Sequence, residues 1–394
     1  MEEAARGDVD WRAGRLQGYV YAVGDDVLEV AQEAFRRFFS TSPLSPKVFP
    51  SLQRFSSDIV AMSAGLLHAD EPIGTLTTGG TESNLLAVLS ARERGRAERG
   101  ITTPEIVLPR SGHPSFNKAA HYLGLRVVRV PTGADLKGDV AALRQAVTDD
   151  TVLLVGSAPS YTHGVVDPIP AMAAIAAERG ISFHVDACVG GFFLPFVEKL
   201  GRAVPAWDFR VPGVSTISAD LHKHGYAAKG VSLLLHHDVA LQRYHTFEFS
   251  GWPNGRYFTQ TFGGTRAGGA IAAAWAVMRY LGEEGYLRIV AQSLRLTRAF
   301  IDGINAITGL EVWGDPVMNK FGYGSRVLDI TAVADQLESR GWYVGRQQDP
   351  PGINMHVLPV HQPIVEEYLR DLAEATERVA SGEVKSQGKT ASYT

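Results

Sequence analysis

Three short stretches carry residue types and spacings that can do chemistry. The first is Thr77-Thr78-Gly79-Gly80-Thr81-Glu82-Ser83-Asn84, which leads into a helical pattern. Glycines let the backbone approach an anion closely, and the free N–H groups of a helix start favour phosphate. Thr81 and Ser83 can add hydroxyl donors. The stretch is neither a Walker A loop nor a dinucleotide fingerprint, and taken singly it reads as a Gly-rich helix cap. The second, His184-Val185-Asp186-Ala187-Cys188-Val189-Gly190-Gly191, ends an apolar run. An acid at the carboxyl end of a buried strand lies where α/β folds bind ligands, and Asp186 can hold a pyridinium N–H there; it can equally be a helix N-cap. The third is Ser218-Ala219-Asp220-Leu221-His222-Lys223-His224-Gly225-Tyr226. A desolvated lysine is nucleophilic, so Lys223 can form an imine with an aldehyde. His222 and His224 point to opposite faces of an extended chain, and no acid stands at a ligand spacing, so no metal site is expected. His236-His237 reads as a strand end.

These stretches need a scaffold, and the surrounding pattern supplies one. Apolar periodicity predicts helices over 27–39 and 53–68, separated by the proline-broken loop Ser42-Pro43-Leu44-Ser45-Pro46. Short β-rich runs follow at 106–108, 126–130, 152–157, 181–185, 214–218 and 231–235, with helical stretches at 82–93, 115–123, 140–147 and 170–179 between several of them. This alternation predicts a mostly parallel sheet wrapped by helices. Thr151–Val155 is apolar throughout after its first residue, as a strand buried on both faces should be. From Ala267 a helical region leads to strand patterns at 311–313, 325–329 and 354–358, read as a smaller α+β domain. The expected division is an N-terminal segment over 1–52, a large domain over 53–285, a small domain over 286–379 and a polar, disordered tail over 380–394.

Composition limits the function classes. The 394 residues are 45% hydrophobic and 20% charged, with net charge −4, the balance of a soluble globular chain. The densest basic stretch, Arg92–Arg99, is interleaved with glutamates, so a nucleic-acid partner is not expected. The single Cys188 rules out a disulfide within the chain and fits a reducing, cytoplasmic setting. The first ten residues are acidic and lack an apolar leader, and the longest apolar runs are too short for stable membrane insertion.

The order of these features carries a resemblance. A Gly-Gly-Thr loop, then His113, then Asp186, then Lys223 37 residues later is the order of fold-type I pyridoxal-phosphate enzymes. Four segments resemble the sphingosine-1-phosphate lyase branch of the group II decarboxylase superfamily: 156–168, 184–196, 218–230 and 261–269. The resemblance runs from Tyr19 to Leu287. It implies a fold-type I large domain with a mostly parallel seven-stranded sheet and a small C-terminal α+β domain. It also implies pyridoxal 5'-phosphate as cofactor and a small amine or amino acid as substrate. Lys223 would hold the cofactor as a Schiff base, Asp186 would pair with the ring nitrogen, and His113 would stack on the ring. Gly79, Gly80, Thr81 and His222 would bind the phosphate, with Ser218 a further candidate. Gly264 and Thr265 would reach the phosphate of a neighbouring subunit, which implies a homodimer with shared sites. Lys229 and Tyr21 match a second lysine and an N-terminal tyrosine of the lyase site.

Two departures bear on the substrate. Where the lyases carry Asn and His before a Pro-x-x-Phe-Pro segment, this chain has Ser42 and Ser45. The activity implied is retro-aldol cleavage of the Cα–Cβ bond of a β-hydroxy amine to an aldehyde and an amine. The rival is α-decarboxylation of an amino acid of the aspartate or tyrosine type, which shares the Gly-Gly-Thr-Glu and His-Val-Asp-Ala blocks. Lys229 and the residues around Lys223 favour the lyase.

Overall fold

A computed structural model describes residues 3–392. The chain packs into two compact units. The larger is Asp26–Tyr161 with Val166–Tyr286; the smaller is Met1–Asp25 with Thr162–Val165 and Leu287–Thr394.

The larger unit is built on a seven-stranded sheet. Its strands are β1 (Gly74–Thr77), β2 (Glu105–Pro109), β3 (Arg126–Val130), β4 (Thr151–Ser157), β5 (Ser182–Asp186), β6 (Thr216–Ala219) and β7 (Ser232–His236). They lie in the order β1-β7-β6-β5-β4-β2-β3. β7 runs antiparallel to β1 and β6, and the remaining pairs are parallel. Every residue of β2, β4, β5, β6 and β7 is buried. Such burial explains their near-continuous apolar character. The helices are α1 (Asp25–Arg37), α2 (Pro50–Leu66), α3 (Gly80–Arg99), α4 (Ser115–Leu123), α5 (Val140–Ala146), α6 (Ile169–Glu178), α7 (Leu194–Lys199) and α8 (Val239–Arg243). Parallel strands need crossovers, and α3 to α7 lie in them. The antiparallel β6–β7 connection needs none, so Lys223 rides on a loop.

A solvent-facing hairpin, β8 (Phe247–Trp252) and β9 (Gly255–Thr259), follows α8. Then α9 (Gly268–Ala306) bends at Gly282, whose φ of 52° and ψ of −170° lie outside the helical region.

The smaller unit has a four-stranded antiparallel sheet in the order β10-β11-β13-β12, from β10 (Glu311–Trp313), β11 (Lys320–Gly324), β12 (Gly345–Gln348) and β13 (Pro351–His356). It carries α10 (Ile330–Ser339) and α11 (Val365–Ala380). Phe300, Phe321, Tyr323, Trp342 and Tyr368 form its core, where the Tyr323 and Tyr368 hydroxyls bond to each other at 2.6 Å.

Two expectations are corrected. Residues 325–329 are not a strand: Ser325 Oγ accepts from the Val327 and Leu328 N–H groups, and Asp329 caps α10 through Thr331 and Ala332 N–H. The strand is Lys320–Gly324, whose buried lysine and two glycines hide it from an apolar pattern. The segment over 1–52 is also not one unit. Leu16 bridges to Tyr343, Arg15 pairs with Glu367 and lies over the Trp342 ring, and these contacts tie the first residues to the smaller unit. The remainder joins the larger unit, where Phe38 packs on Phe55 and Phe55 stacks on Trp275. In the polar tail, Gln387 N–H donates to Asp335 and Lys389 pairs with Glu338.

Candidate active site

The three sequence stretches meet at the carboxyl ends of β1, β5 and β6. Gly79 and Gly80 open α3, whose first N–H groups have no partner inside the helix. The fit there is close. A Cβ on Gly80 would stand 2.6 Å from Cys188 Sγ and 2.8 Å from Asp220 Oδ1, so only glycine passes without displacement. Thr81 is exposed on the first turn. Ser83 turns inward instead, bonding Thr77 Oγ1 at 2.7 Å and Ser232 Oγ at 3.0 Å. Next to Gly79 stands the His222 ring, with Cε1 3.5 Å from where a Cβ would be. His222 Nδ1 is buried with no hydrogen-bond partner among the described residues.

Asp186 ends β5, buried and held from several sides. Its Oδ2 accepts from Asn84 Nδ2 at 3.1 Å and its Oδ1 from Cys188 N–H at 3.1 Å, with Ser218 Oγ at 3.5 Å. Behind it His184 is fully buried, and that burial pushes its pKa down to about 4 against the pull of Asp186. It is a neutral ring at physiological pH. His113, before α4, bonds Ser115 Oγ through Nδ1 at 2.9 Å, and Ser115 accepts from Asn84 at 2.9 Å. Burial also lowers the His113 pKa, offset in part by Asp186.

Lys223 follows β6 on a turn packed on both sides. His224 is buried and bonds Val189 O at 2.9 Å, and the Tyr286 hydroxyl donates to Gly225 O. Tyr226 stacks on Tyr286 and holds a positive φ of 57°, a backbone state uncommon outside glycine. Lys223 Nζ lies 2.9 Å from Asp220 Oδ2. Lys229 Nζ donates to His222 O at 3.0 Å. The protein packed around that ammonium and the neighbouring charge of Lys223 push its pKa down to about 8, against Asp220.

The structure thus gathers Gly79, Gly80, Thr81, His113, Asp186, His222, Lys223 and Lys229 within the larger unit. The fully buried Ser218 hydroxyl bonds His184 and Asp186 and accepts from Cys188 Sγ, so it braces the strand-end acid. Gly264 lies beside Leu44 and Tyr257, and Thr265 is exposed. Their segment is tied to α3 by Phe262 N–H on Glu82 and to β1 by Arg266 on Leu76 O. Ser42 Oγ accepts weakly from Arg266 N–H. Tyr21 lies in the smaller unit, its ring edge-on to His356 and its hydroxyl 3.4 Å from His356 Nδ1. Sequence reasoning missed Asn84 and Asp220. The signals were a polar residue inside the buried run Ser83–Val88 and an acid three residues before the lysine.

The donor set fits pyridoxal 5'-phosphate. A glycine-walled helix start and a buried, unpaired His222 nitrogen suit a phosphate, Asp186 suits a ring N–H, and Lys223 suits an aldehyde.

Comparison with known proteins agrees with this fit. The model of the pyridoxal-dependent decarboxylase conserved domain matches residues 52–321. A sphingosine-1-phosphate lyase of Arabidopsis thaliana is 40% identical over 96% of this chain and 71% of its own length. A probable L-aspartate decarboxylase of Pyrococcus abyssi is 32% identical over 95% of each chain. The solved structure of a Burkholderia pseudomallei sphingosine-1-phosphate lyase superposes with a TM-score of 0.93 at 39% identity, covering 97% of this chain and 90% of that one. The larger unit is therefore the fold-type I architecture of such enzymes.

Proposed function

The chain belongs to the pyridoxal-dependent decarboxylase family, and from that premise we propose that it is a carbon–carbon lyase. It cleaves the Cα–Cβ bond of a β-hydroxy amine, releasing an aldehyde and an amine. Pyridoxal 5'-phosphate, when bound, supplies an electron sink for the pair of electrons left on the carbon that bears the amine. The substrate class is a phosphorylated long-chain amino alcohol of the sphingosine-1-phosphate kind. The observation that carries this reading is the likeness to sphingosine-1-phosphate lyases over nearly the whole chain, at 40% and 39% identity.

The chain's own residues have separate tasks. Asp186, held by Asn84 and Cys188 N–H, would accept the ring N–H. His113 would cover one ring face. Gly79, Gly80, Thr81 and His222 would hold the phosphate at the start of α3. Lys223 would bind the cofactor aldehyde. Lys229, with its pKa near 8, can take a proton at Nζ from a β-hydroxyl or return one near neutral pH.

The assembly is a homodimer in this reading, with Gly264 and Thr265 completing the phosphate site of the other copy. The exposure of Thr265 and of the aromatics of the nearby hairpin, Phe247, Phe249, Trp252 and Phe258, supports it. Tyr21 is assigned to the substrate side of the site on the family resemblance alone. A cytoplasmic location fits a chain whose one thiol is buried and unpaired. No helix among the described residues is long and apolar enough to cross a membrane.

The deciding experiment is mass spectrometry of products from the cofactor-loaded enzyme, given β-hydroxy amines, their phosphates and ordinary L-amino acids. An aldehyde plus a shortened amine establishes the lyase. Carbon dioxide plus the full-length amine would instead make the chain a decarboxylase.

A further inference from the structure

Asp220 has no role in the chemistry described above, yet it sits at its centre. It follows the last residue of β6 and is 2% exposed. Its Oδ1 accepts from Ser232 Oγ at 2.5 Å. Its Oδ2 lies 2.9 Å from Lys223 Nζ and 3.5 Å from His222 Nε2. Gly80 packs directly on the carboxylate, with no room for a methyl group between them. An acid this buried ionises only if it is compensated. Burial raises its pKa, but Lys223, His222 and the Ser232 hydroxyl outweigh that and leave it lowered. The first turn of α3 favours an anion at the same place. A carboxylate built in with this much support is not a chance surface pairing.

The geometry points to Asp220 as the positioning residue for Lys223: it takes the lysine's ammonium whenever that nitrogen is not bound to the cofactor, and holds it aimed for recapture. This rests on the reading that Lys223 is the cofactor lysine. With the cofactor bound, a substrate amine would take the place of Lys223, and the lysine would have to return. A free lysine on a long stem carries about 2 kcal/mol of rotamer entropy, and a fixed counter-charge removes the search. The i, i+3 spacing on a tight turn, with Lys223 N–H on Asp220 O, keeps the two groups in register. A carboxylate 2.9 Å away favours the ammonium form, so it lowers the nucleophilicity of an unoccupied amine. The other ionisable groups that feel the pair are His113, Cys188, His222 and Lys229, with Asp186 acting on the first two.

The test is trace acetylation of the cofactor-free protein from pH 6 to 9, with Lys223 and Lys229 peptides read by mass spectrometry. An opposite charge at this range shifts a titration by about one unit or more, so Lys223 of Asp220→Asn should label about tenfold faster than wild type at pH 7. Cofactor capture by the same protein should move to lower pH in parallel. Equal labelling of Lys223 in both proteins overturns the inference, and a purely structural role would lower capture without moving its pH profile. Should Asp220→Asn fail to fold, the wild type alone decides: Lys223 is expected to label more slowly than Lys229, and the reverse order overturns the assignment. Borohydride reduction of the loaded wild type separates the two readings. Cofactor found on another lysine means that the assignment of Lys223 fails, whatever the labelling says.

Discussion

Asn84 Nδ2 donates to Asp186 Oδ2 at 3.1 Å while Asn84 Oδ1 faces His184 Nε2 at 3.2 Å. The pair of contacts sets the hydrogens of the whole network. A carboxylate only accepts, so the Asn84 amide nitrogen must face Asp186, and its oxygen then requires a proton on His184 Nε2. His184 Nδ1 is left to accept from Thr216 Oγ1 at 2.8 Å. The strand-end acid is thus held by a chain of neutral groups that cannot take its role. Asn84→Leu should keep the fold and weaken cofactor binding by about tenfold, the loss of one hydrogen bond to a charged group. Asp186→Ala should abolish turnover. Cofactor titration by absorbance checks the first, and product formation checks the second.

Gly80→Ala should be far worse than its size implies. The added methyl would meet Cys188 Sγ at 2.6 Å and both Asp220 oxygens within 2.9 Å. Overpacking of this kind costs about 1–3 kcal/mol. The expected outcome is a lower melting temperature together with loss of cofactor affinity, read by calorimetry with and without pyridoxal 5'-phosphate. Gly100→Ala offers a contrast, because there a Cβ meets nothing within 4 Å and only the positive φ of 68° is penalised.

Lys229 gives the reaction a pH signature. If its neutral form takes the β-hydroxyl proton, kcat/KM rises with pH through about 8 and levels above it. Lys229→Met should remove that limb and lower kcat, while borohydride reduction still fixes the cofactor on Lys223. A pH profile of product formation for the two proteins tests this.

Acid stability should be limited by buried histidines. His184 and His245 have pKa values pushed down to about 4 by burial, and His236 is pushed well below its ordinary value by burial and its neighbours. The His236 and His245 rings stack 5.0 Å apart, with all four nitrogens buried and without a hydrogen-bond partner among the described residues. Their folded values lie below the unfolded one, so the unfolded chain binds more protons as pH falls. Stability is complete above about pH 6.5 and is lost as pH falls towards 4, by roughly 2 kcal/mol per histidine at pH 5. Melting temperatures from pH 8 to 5 should show the fall, and His245→Leu should reduce its slope.

Much of the site was legible because its parts are local. Asp186 and Lys223 each follow an apolar run, and a glycine pair before a helix announces itself without any tertiary context. The strands β2 and β4 to β7 were legible for the same reason: burial on both faces limits the charged residues they can carry. β1 is short and its Gly-Thr-Leu-Thr carries no such signal, and Lys320–Gly324 hides behind two glycines, Gly322 admitting the Gln347 side chain and Gly324 the Trp313 ring.

What the sequence by itself determined is the identity and order of the reactive groups, since residue type alone sets which atom can form an imine, accept a ring proton or meet a phosphate. Only the tertiary structure decided their partners. Asn84 reaches Asp186 across 102 residues, and Ser232 reaches Asp220 from the neighbouring antiparallel strand. Ser218 turns to His184 and Asp186 because the β5–β6 register sets it opposite Asp186. Such pairings depend on strand order and register, which follow from how the whole chain buries its apolar surface rather than from any one stretch of it.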